Sequence, residues 1–303
     1  MKTPLSEILF NLAIERKEAE ILTAFLLNKS RESLLANPEI ELNEQFYKKL
    51  RVLEKKRLQN YPIAYLVGKK EFYGLDFKVN NKVMVPRPET EIMIDNIIDI
   101  FKQTANNFDK DSKILIEATD TKNENPLFID LGTGSGAIII SLNHELKRLF
   151  PKNYTSFEFK ATDISPGALQ VAKNNAIFHN LNKTIKFYQG DLLKPVAKFL
   201  TERDVIIAAN LPYLTLEQVK QSPSISREPK LALVAGSDGL KYYRELFKQL
   251  QDIKYKSLIL FCEIDPSQTA AINALAGASF PAASFEIIKD LADLDRFLKI
   301  SIL

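Results

Sequence analysis

The segment most suited to chemistry is Asn210-Leu211-Pro212-Tyr213, which follows the apolar run at 204–209. Pro212 has no N–H group and disfavours helical geometry at the preceding residue, so the nearby backbone carbonyls must find partners outside regular structure. Together with the side-chain amide of Asn210, these carbonyls could hold a planar amide or amino group of a substrate. These four residues alone fit equally well a strand followed by a proline turn, with Tyr213 as a packing residue.

A glycine-rich loop lies upstream, between an apolar run at 127–131 and a helical pattern that begins at Ala137. Glycine lets the backbone turn tightly and approach a ligand closely, and a helix N-terminus offers free N–H groups. The pattern therefore predicts a strand, a loop and a helix that together bind a nucleotide-like ligand. The candidate contact residues are Gly132, Thr133, Gly134, Ser135 and Gly136.

The loop does not identify its ligand, because Gly132, Gly134 and Ala137 also satisfy the dinucleotide fingerprint. A nicotinamide oxidoreductase is therefore one hypothesis. Asp163, at the end of the next predicted strand, could hold ribose hydroxyls of either cofactor. If the ligand is S-adenosylmethionine, the loop would wrap its methionine part, and the helix end would face its carboxylate.

Polar residues also follow the next two predicted strands. Asp191 could accept a hydrogen bond from an adenine amino group, although a lone Asp there is more often a cap or a turn former. Leu192 beside it is a further candidate cofactor contact. The glycine loop, Asp163, Asp191 and Asn210 thus follow four successive strands. Open parallel sheets bind ligands at this edge, so the set is more specific than its members.

Several blocks of the sequence resemble one family of enzymes. Residues 85–91 read Val-Pro-Arg-Pro-Glu-Thr-Glu, and this block ahead of the glycine loop is the most specific of them. On these blocks the chain is similar to the peptide chain release factor glutamine methyltransferases, the HemK/PrmC family. The blocks lie at 62–68, 71–79, 85–91, 130–136, 210–213, 228–233 and 238–240.

The resemblance implies a fold, a cofactor and a substrate. The fold would be α/β, a doubly wound Rossmann-like methyltransferase sheet with a small N-terminal all-helical domain joined by a β-hairpin. The cofactor would be S-adenosyl-L-methionine. The substrate would be the glutamine of the Gly-Gly-Gln motif of peptide chain release factors, methylated on its side-chain nitrogen. Asn210, Pro212 and Tyr213 would be catalytic, Leu211 would also contact the substrate, and Asn210 would contact the cofactor as well.

The chain departs from the family pattern at Leu211, where the family has proline, and at Ala235, where it tends to have glycine. Leu211 supplies the same backbone carbonyl but does not fix φ. Asn-Leu-Pro-Tyr is also typical of ribosomal RNA adenine dimethyltransferases, so an adenine-N6 methyltransferase acting on ribosomal RNA or DNA is the alternative function. Those enzymes carry their extra helical domain at the C-terminus, whereas the extra domain here lies in front.

Composition and patterning predict three parts. They are a helical substrate-recognition domain at 1–70, a β-hairpin connector at 71–88 and a methyltransferase domain at 89–303. No glycine precedes Gly68, and the apolar residues before it recur at helical spacing. In the connector, residues 77–79 are predicted to pair with residues 83–85 across Asn80-Asn81, because Asn tolerates the positive φ of a two-residue turn.

The second half alternates helices and strands as a doubly wound sheet requires. The predicted elements are a helix at 166–179, strands at 185–189, 205–209 and 258–263, and a helix at 266–278. Two adjoining strands, 285–288 and 296–302, end the chain, and the resemblance implies that the last one is antiparallel. The polar segment 103–125 is predicted to be a surface excursion without a functional role.

The overall charge is small, since 41 basic and 38 acidic residues give +3, which is too little to require nucleic acid. Cys262 stands alone in an apolar strand, and His144 and His179 lack ligand spacing, so we predict no metal site. One cysteine and no apolar run long enough for a bilayer predict a cytoplasmic protein without membrane contact. We expect a monomer whose partners are the release factors.

Overall fold

The computed structural model describes residues 2–106, 126–152 and 154–302. Its N-terminal part is a group of short helices with a small antiparallel sheet, which the helical spacing did not predict. The elements are β1 (Lys2–Pro4), α1 (Leu5–Phe10), α2 (Arg16–Leu27), α3 (Arg31–Leu35), β2 (Glu41–Asn43), α4 (Glu44–Leu58) and α5 (Ile63–Val67).

These helices form because their apolar residues recur on one face, and side chains cap the N-termini of α3 and α4. Leu22 of α2 and Leu50 of α4 are completely buried, in a core separate from that of the large sheet. The side chain of Asn43 accepts a hydrogen bond from the backbone N–H of Phe46, which caps α4. The N-terminal part therefore has its own hydrophobic core, as the spacing predicts.

A β-hairpin follows, but it is not the predicted one. It pairs β3 (Lys69–Phe72) with β4 (Leu75–Lys78), and its turn is Tyr73-Gly74, with φ of 52° and 69°. The pairing of 77–79 with 83–85 across Asn80-Asn81 is wrong. Those residues form a turn closed by the Val83 N–H and the Asn80 carbonyl, and the valines that follow pack against Ala168 and Val171 instead of a strand.

A 3-10 turn (Pro88–Thr90) leads into α6 (Glu91–Asn106). The predicted polar excursion at 103–125 lies outside the described residues, except for the last turn of this helix at 103–106. The boundaries proposed for the three parts of the chain stay predictions. Within the described ranges, no helix is both long enough and apolar enough to cross a bilayer.

The remaining chain forms a seven-stranded sheet in the order β10-β11-β9-β8-β5-β6-β7. Its strands are β5 (Leu127–Leu131), β6 (Glu158–Asp163), β7 (Ile185–Gln189), β8 (Asp204–Ala209), β9 (Ser257–Glu263), β10 (Ser284–Lys289) and β11 (Asp295–Ile302). Strands β5 to β9 are parallel to one another, and β11 lies antiparallel between β9 and β10. The predicted antiparallel last strand is confirmed.

Helices cover the sheet, and a hydrophobic core lies on each face of it. The helices are α7 (Ala137–Leu149), α8 (Pro166–Phe178), α9 (Leu216–Gln221), α10 (Lys241–Gln251) and α11 (Thr269–Ser279). Every residue of β8 and β9 is buried, which explains why these strands are continuous apolar runs and do not alternate. The predicted doubly wound α/β fold is confirmed.

The register of the central strands brings their ends together. Leu131 at the end of β5 pairs with Ala209 of β8 on one side and with Thr162 of β6 on the other, while Asp163 pairs with Gln189 of β7. The loops that follow these four strands therefore leave the sheet at a single edge.

The turn of the hairpin gives a direct test of where it lies. A Cβ at Gly74 would meet nothing within 4 Å, but the residue has a φ of 69°, so Gly74→Ala should lower the free energy of unfolding by about 1–2 kcal/mol. Gly277 also has open space around it but lies inside α11, so Gly277→Ala should raise the free energy by about 0.5–1 kcal/mol. Urea unfolding of both variants measures the difference. If Gly74→Ala is neutral, the turn is not at Tyr73-Gly74.

Candidate active site

The glycine loop between β5 and α7 has the conformation that its glycines permit. Gly132, Gly134 and Gly136 have φ of 67°, 55° and 81°, values that other residues rarely adopt. The loop is held by a hydrogen bond from the Thr133 N–H to the Thr162 carbonyl, at 2.9 Å, and Gly136 caps α7. A Cβ on Gly134 would have no neighbour closer than 3.9 Å, so this backbone is open to a ligand.

Asp163 ends β6 and is almost buried, with 9% of its surface exposed. One carboxylate oxygen accepts the N–H of Gly134 at 2.9 Å, and the other accepts the N–H of Ser165 at 2.8 Å. Burial raises the pKa of this carboxyl group, and the two backbone hydrogen bonds oppose that rise. Each oxygen keeps a further lone pair, so Asp163 can fix the loop and still accept hydrogen bonds from ligand hydroxyls.

Asp191 follows β7 and is much more exposed than Asp163. Its carboxylate pairs with the ammonium group of Lys194 at 2.7 Å, and 36% of its side chain is exposed. The next residue, Leu192, has a φ of 51°, and its carbonyl accepts the hydroxyl of Thr162 at 2.9 Å. This strand end therefore lines the site with one paired carboxylate and one left-handed turn residue.

The side chain of Asn210, after β8, belongs to a chain of hydrogen bonds. Its Nδ2 donates to Oγ1 of Thr90 at 3.2 Å, and the Thr90 hydroxyl donates to Oε2 of Glu263 at 2.7 Å. The hydroxyl of Tyr213 donates to Oε1 of the same carboxylate at 3.2 Å. In the described part of the chain, Asn210 Oδ1 and the carbonyls of Leu211 and Pro212 accept no hydrogen bond. Three acceptors are thus open to a substrate.

Glu263 and Thr90 are two further residues of the site, to which no sequence motif gave a role of their own. Glu263 ends β9 with 1% of its surface exposed, and burial raises its pKa to about 7, although Thr90, Tyr213 and Arg296 favour the charged form. The available signal was one acidic residue at the end of a fully apolar strand. Thr90 lies inside the Pro-Arg-Pro-Glu-Thr block that carries the family resemblance, which was the signal for it.

These residues surround a cleft of about 1080 Å³ at the carboxyl edge of the sheet. The predicted residues that line it are Gly132, Thr133, Gly134, Ser135, Asp163, Asp191, Leu192, Asn210, Leu211 and Pro212. Gly136 does not line the cleft but starts the helix behind it. Tyr213 lines an adjoining pocket of about 390 Å³, which shares Asn210, Leu211 and Pro212 with the cleft. Residues 210–213, which we call the acceptor segment, therefore lie between the cleft and this pocket.

One wall of the cleft comes from the connector between the N-terminal helices and the sheet. Met84 and Arg87 line it, and Arg87 forms an ion pair with Glu228, a buried residue that also accepts the N–H of Val85 at 2.9 Å. Glu228 belongs to the block at 228–233, one of those that carry the family resemblance, and no motif gave it a role of its own. The ion pair holds the connector against the loop that follows the acceptor segment.

Metal chemistry finds no cluster to support it within the described ranges, where no group of three or more His, Cys, Asp or Glu residues could hold an ion. Cys262 is buried in β9, and burial raises the pKa of its thiol well above the usual value.

The chain is similar to known proteins over most of its length. A model of the PrmC N-terminal domain matches residues 7–68, and a model of a methyltransferase domain matches residues 122–284. The release factor glutamine methyltransferase of Bacillus subtilis is 34% identical over 285 residues, which cover 93% of this chain and 90% of that protein. The chain belongs to the release factor glutamine methyltransferase family. The relative of the same name from Coxiella burnetii is also 34% identical, with the same coverage of both chains.

Among solved structures, the fold of this family member resembles the hMettl16 catalytic domain, solved in complex with a 3'UTR hairpin. The TM-score is 0.53 at 13% identity, with 92% of this chain and 90% of that chain covered. This likeness concerns the fold alone. The family assignment confirms the resemblance that the sequence blocks indicated.

A release factor glutamine methyltransferase family member is expected to use a cofactor of the S-adenosylmethionine type, and the residues present fit one. The N-terminus of α7 suits a carboxylate, because the helix dipole attracts negative charge, and the open space at Gly134 lets a ligand approach the backbone closely. Asp163 can accept hydrogen bonds from ribose hydroxyls, and the cleft is large enough for a nucleoside. This edge of the sheet therefore suits the cofactor.

Asp163 and Asp191 should contribute unequally to cofactor binding. Asp163→Ala should raise the Kd for S-adenosylmethionine about ten- to hundredfold, because a buried charged acceptor is lost and the Gly134 N–H loses its partner. Asp191→Ala should raise it by about threefold or less, because Asp191 is partly exposed and already paired with Lys194. Isothermal titration calorimetry measures both constants. An unchanged Kd for Asp163→Ala would contradict the ribose contact.

Proposed function

We propose that this protein transfers a methyl group from S-adenosyl-L-methionine to the side-chain nitrogen of the glutamine in the Gly-Gly-Gln motif of peptide chain release factors. The observation that carries the proposal is the set of open acceptors on the cleft wall, namely Asn210 Oδ1 and the carbonyls of Leu211 and Pro212. The match of residues 7–68 to the PrmC N-terminal domain supports a protein substrate.

The acceptors address the main chemical difficulty of the reaction. An amide nitrogen is a poor nucleophile because its lone pair is delocalised into the carbonyl group. Asn210 Oδ1 and one backbone carbonyl can accept both amide hydrogens, which fixes the amide plane and favours positive charge on the nitrogen during transfer. S-adenosylmethionine supplies a methyl group already activated on a sulfonium. No covalent enzyme intermediate and no general base before transfer are needed, since the proton can leave the product nitrogen afterwards.

Tyr213 has two tasks in this proposal. Its ring lines the adjoining pocket next to Asn210 and Pro212, where it can pack against a planar amide. Its hydroxyl donates to the buried carboxylate of Glu263, and burial together with that carboxylate raises the pKa of Tyr213. The phenol therefore stays neutral and serves as a hydrogen-bond donor.

The second candidate is an adenine-N6 methyltransferase. The same acceptors would hold the exocyclic amino group of adenine, which also carries two hydrogens on a planar nitrogen, and Leu211 is the residue typical of the ribosomal RNA enzymes. The N-terminal match favours the release factor. That nucleic acid is not required and that the protein acts as a cytoplasmic monomer stay predictions.

Methyl transfer from labelled S-adenosylmethionine separates the two candidates. The protein is incubated with a release factor, with the same release factor carrying Ala in place of the motif glutamine, and with ribosomal RNA or DNA. We expect label on the first only. Label on a nucleic acid, or equal label on both release factors, would overturn the proposed substrate.

Asn210 should be needed for turnover more than for cofactor binding. Asn210→Ala should lower kcat by about a hundredfold or more, the usual effect of losing one preorganised polar contact, with a much smaller change in the Kd for S-adenosylmethionine. The matched control is Asn174→Ala, an exposed position on α8 whose loss should leave kcat unchanged. Steady-state kinetics with a release factor checks both variants. Near-normal turnover in Asn210→Ala would eliminate the role assigned to it.

A further inference from the structure

We propose that Glu263, acting through Thr90, is a positioning residue that turns the side-chain oxygen of Asn210 toward the methyl acceptor. The inference rests on the proposed function and adds two residues that lie behind the site. It is carried by the hydrogen bonds that join Asn210, Thr90 and Glu263, three residues from three separate parts of the chain.

We call the hydrogen-bonded set Glu263, Thr90 and Asn210 the relay. It is needed because the two ends of an amide side chain are nearly alike in shape. The oxygen and the nitrogen of Asn210 have nearly the same size, so shape alone does not decide which of them faces the substrate. The two orientations differ completely in chemistry, because the oxygen accepts a hydrogen bond and the nitrogen donates two. An Asn210 with its nitrogen toward the substrate would oppose donors to the donors of the glutamine amide.

Thr90 decides between the two orientations. A hydroxyl has one hydrogen, and that of Thr90 goes to Oε2 of Glu263 at 2.7 Å. Its oxygen can then only accept from Asn210, which it does from Nδ2 at 3.2 Å. With Nδ2 held by Thr90, Oδ1 is the atom left for the acceptor. Thr90 is buried, with 3% of its surface exposed.

Glu263 decides the direction of the Thr90 hydroxyl. An ionised carboxylate only accepts hydrogen bonds, and both of its oxygens receive a donor here, from Thr90 and from Tyr213. The backbone carbonyl of Glu263 also accepts the hydroxyl of Tyr243, whose oxygen lies 3.1 Å from the carbonyl oxygen of Ala209. The carboxylate therefore sits at a fixed place beneath the acceptor segment and restrains both of its ends.

Protonation would remove this control. A protonated Glu263 can donate to Thr90, and the Thr90 hydroxyl is then free to donate to Asn210 in the reversed orientation. The charged and titratable groups facing Glu263 are Arg296 of β11, Glu89 of the 3-10 turn, Tyr213 and Tyr243. Burial outweighs the favourable groups and raises the pKa of Glu263 to about 7. The ordered form is the carboxylate, so turnover should fall as the pH drops through about 7.

The central experiment compares two substitutions at Thr90. Thr90→Val has nearly the same shape but no hydroxyl, and kcat should fall about tenfold because the amide is no longer directed. Thr90→Ser keeps the hydroxyl and should stay within about threefold of the parent protein. The Kd for S-adenosylmethionine should be unchanged in both. Equal kcat values for Thr90→Val and Thr90→Ser would overturn the relay.

A second variant tests the charge. Thr90 and Tyr213 donate to different oxygens of Glu263, and Glu263→Gln keeps the volume but replaces one of these oxygens with an NH₂ group, which cannot accept a hydrogen bond. The parent protein and Thr90→Ser should show a kcat that rises with pH through about 7, and Glu263→Gln should show a low kcat without that rise. A rise that persists in Glu263→Gln would assign the titration to another group and contradict the proposal.

A measurement without substrate separates this inference from the proposed function. The side-chain ¹⁵N–¹H₂ signals of Asn210, assigned by their loss in Asn210→Ala, should shift with pH near 7 in the parent protein and not in Glu263→Gln. If no release factor becomes methylated but this titration is seen, the proposed function fails and the relay stands. If methylation occurs but the pH dependence of the Asn210 signals is the same in the parent protein and in Glu263→Gln, the relay alone fails.

Discussion

The structure depends on the parallel pairing of β5, β6, β7 and β8, which forces four loops to leave the sheet at one edge. Pairing in register puts the ends of β5, β6 and β8 side by side, so residues far apart in sequence meet there without any direct attraction between them. The backbone groups just beyond the last paired residues have no strand partner. Such groups are available to a ligand that offers complementary hydrogen bonds.

Burying carboxylates at this edge is unfavourable unless hydrogen bonds compensate, and the site shows how they do so. Asp130 and Glu263 are both buried, and burial raises the pKa of each to about 7. Asp130 accepts the hydroxyl of Thr133 at 2.6 Å, which steadies the glycine loop, and Glu263 accepts Thr90 and Tyr213 beside the acceptor segment. At Glu263 both carboxylate oxygens are paired, so removing one partner leaves an uncompensated polar atom, whereas Oδ1 of Asp130 has no hydrogen-bond partner among the described residues.

The alternation of strands and helices was predictable because fully buried parallel strands are short apolar runs and glycines mark the loop after β5. The predicted hairpin was wrong because the valines at 79–85 mimic a strand, while the real turn places Tyr73 at a φ of 52°, which residue type alone does not suggest. Glu263 could not be assigned from sequence, since its partner Thr90 lies 173 residues away and only the fold brings the two together. The motif residues could be predicted from the sequence, but the residues that hold them in place, such as Glu263, could not.

Leu211 shows how one residue can replace a rigid ring by packing. Proline would restrict φ at this position, whereas the leucine side chain is 3% exposed and belongs to the core beneath the cleft. Its Cδ2 lies 3.2 Å from where a Cβ of Gly132 would be, so the Leu211 side chain lies close to the glycine loop, and a larger residue at 132 would make it shift. Tertiary packing of the Leu211 side chain thus restrains the backbone at this position, where proline would do so through its ring.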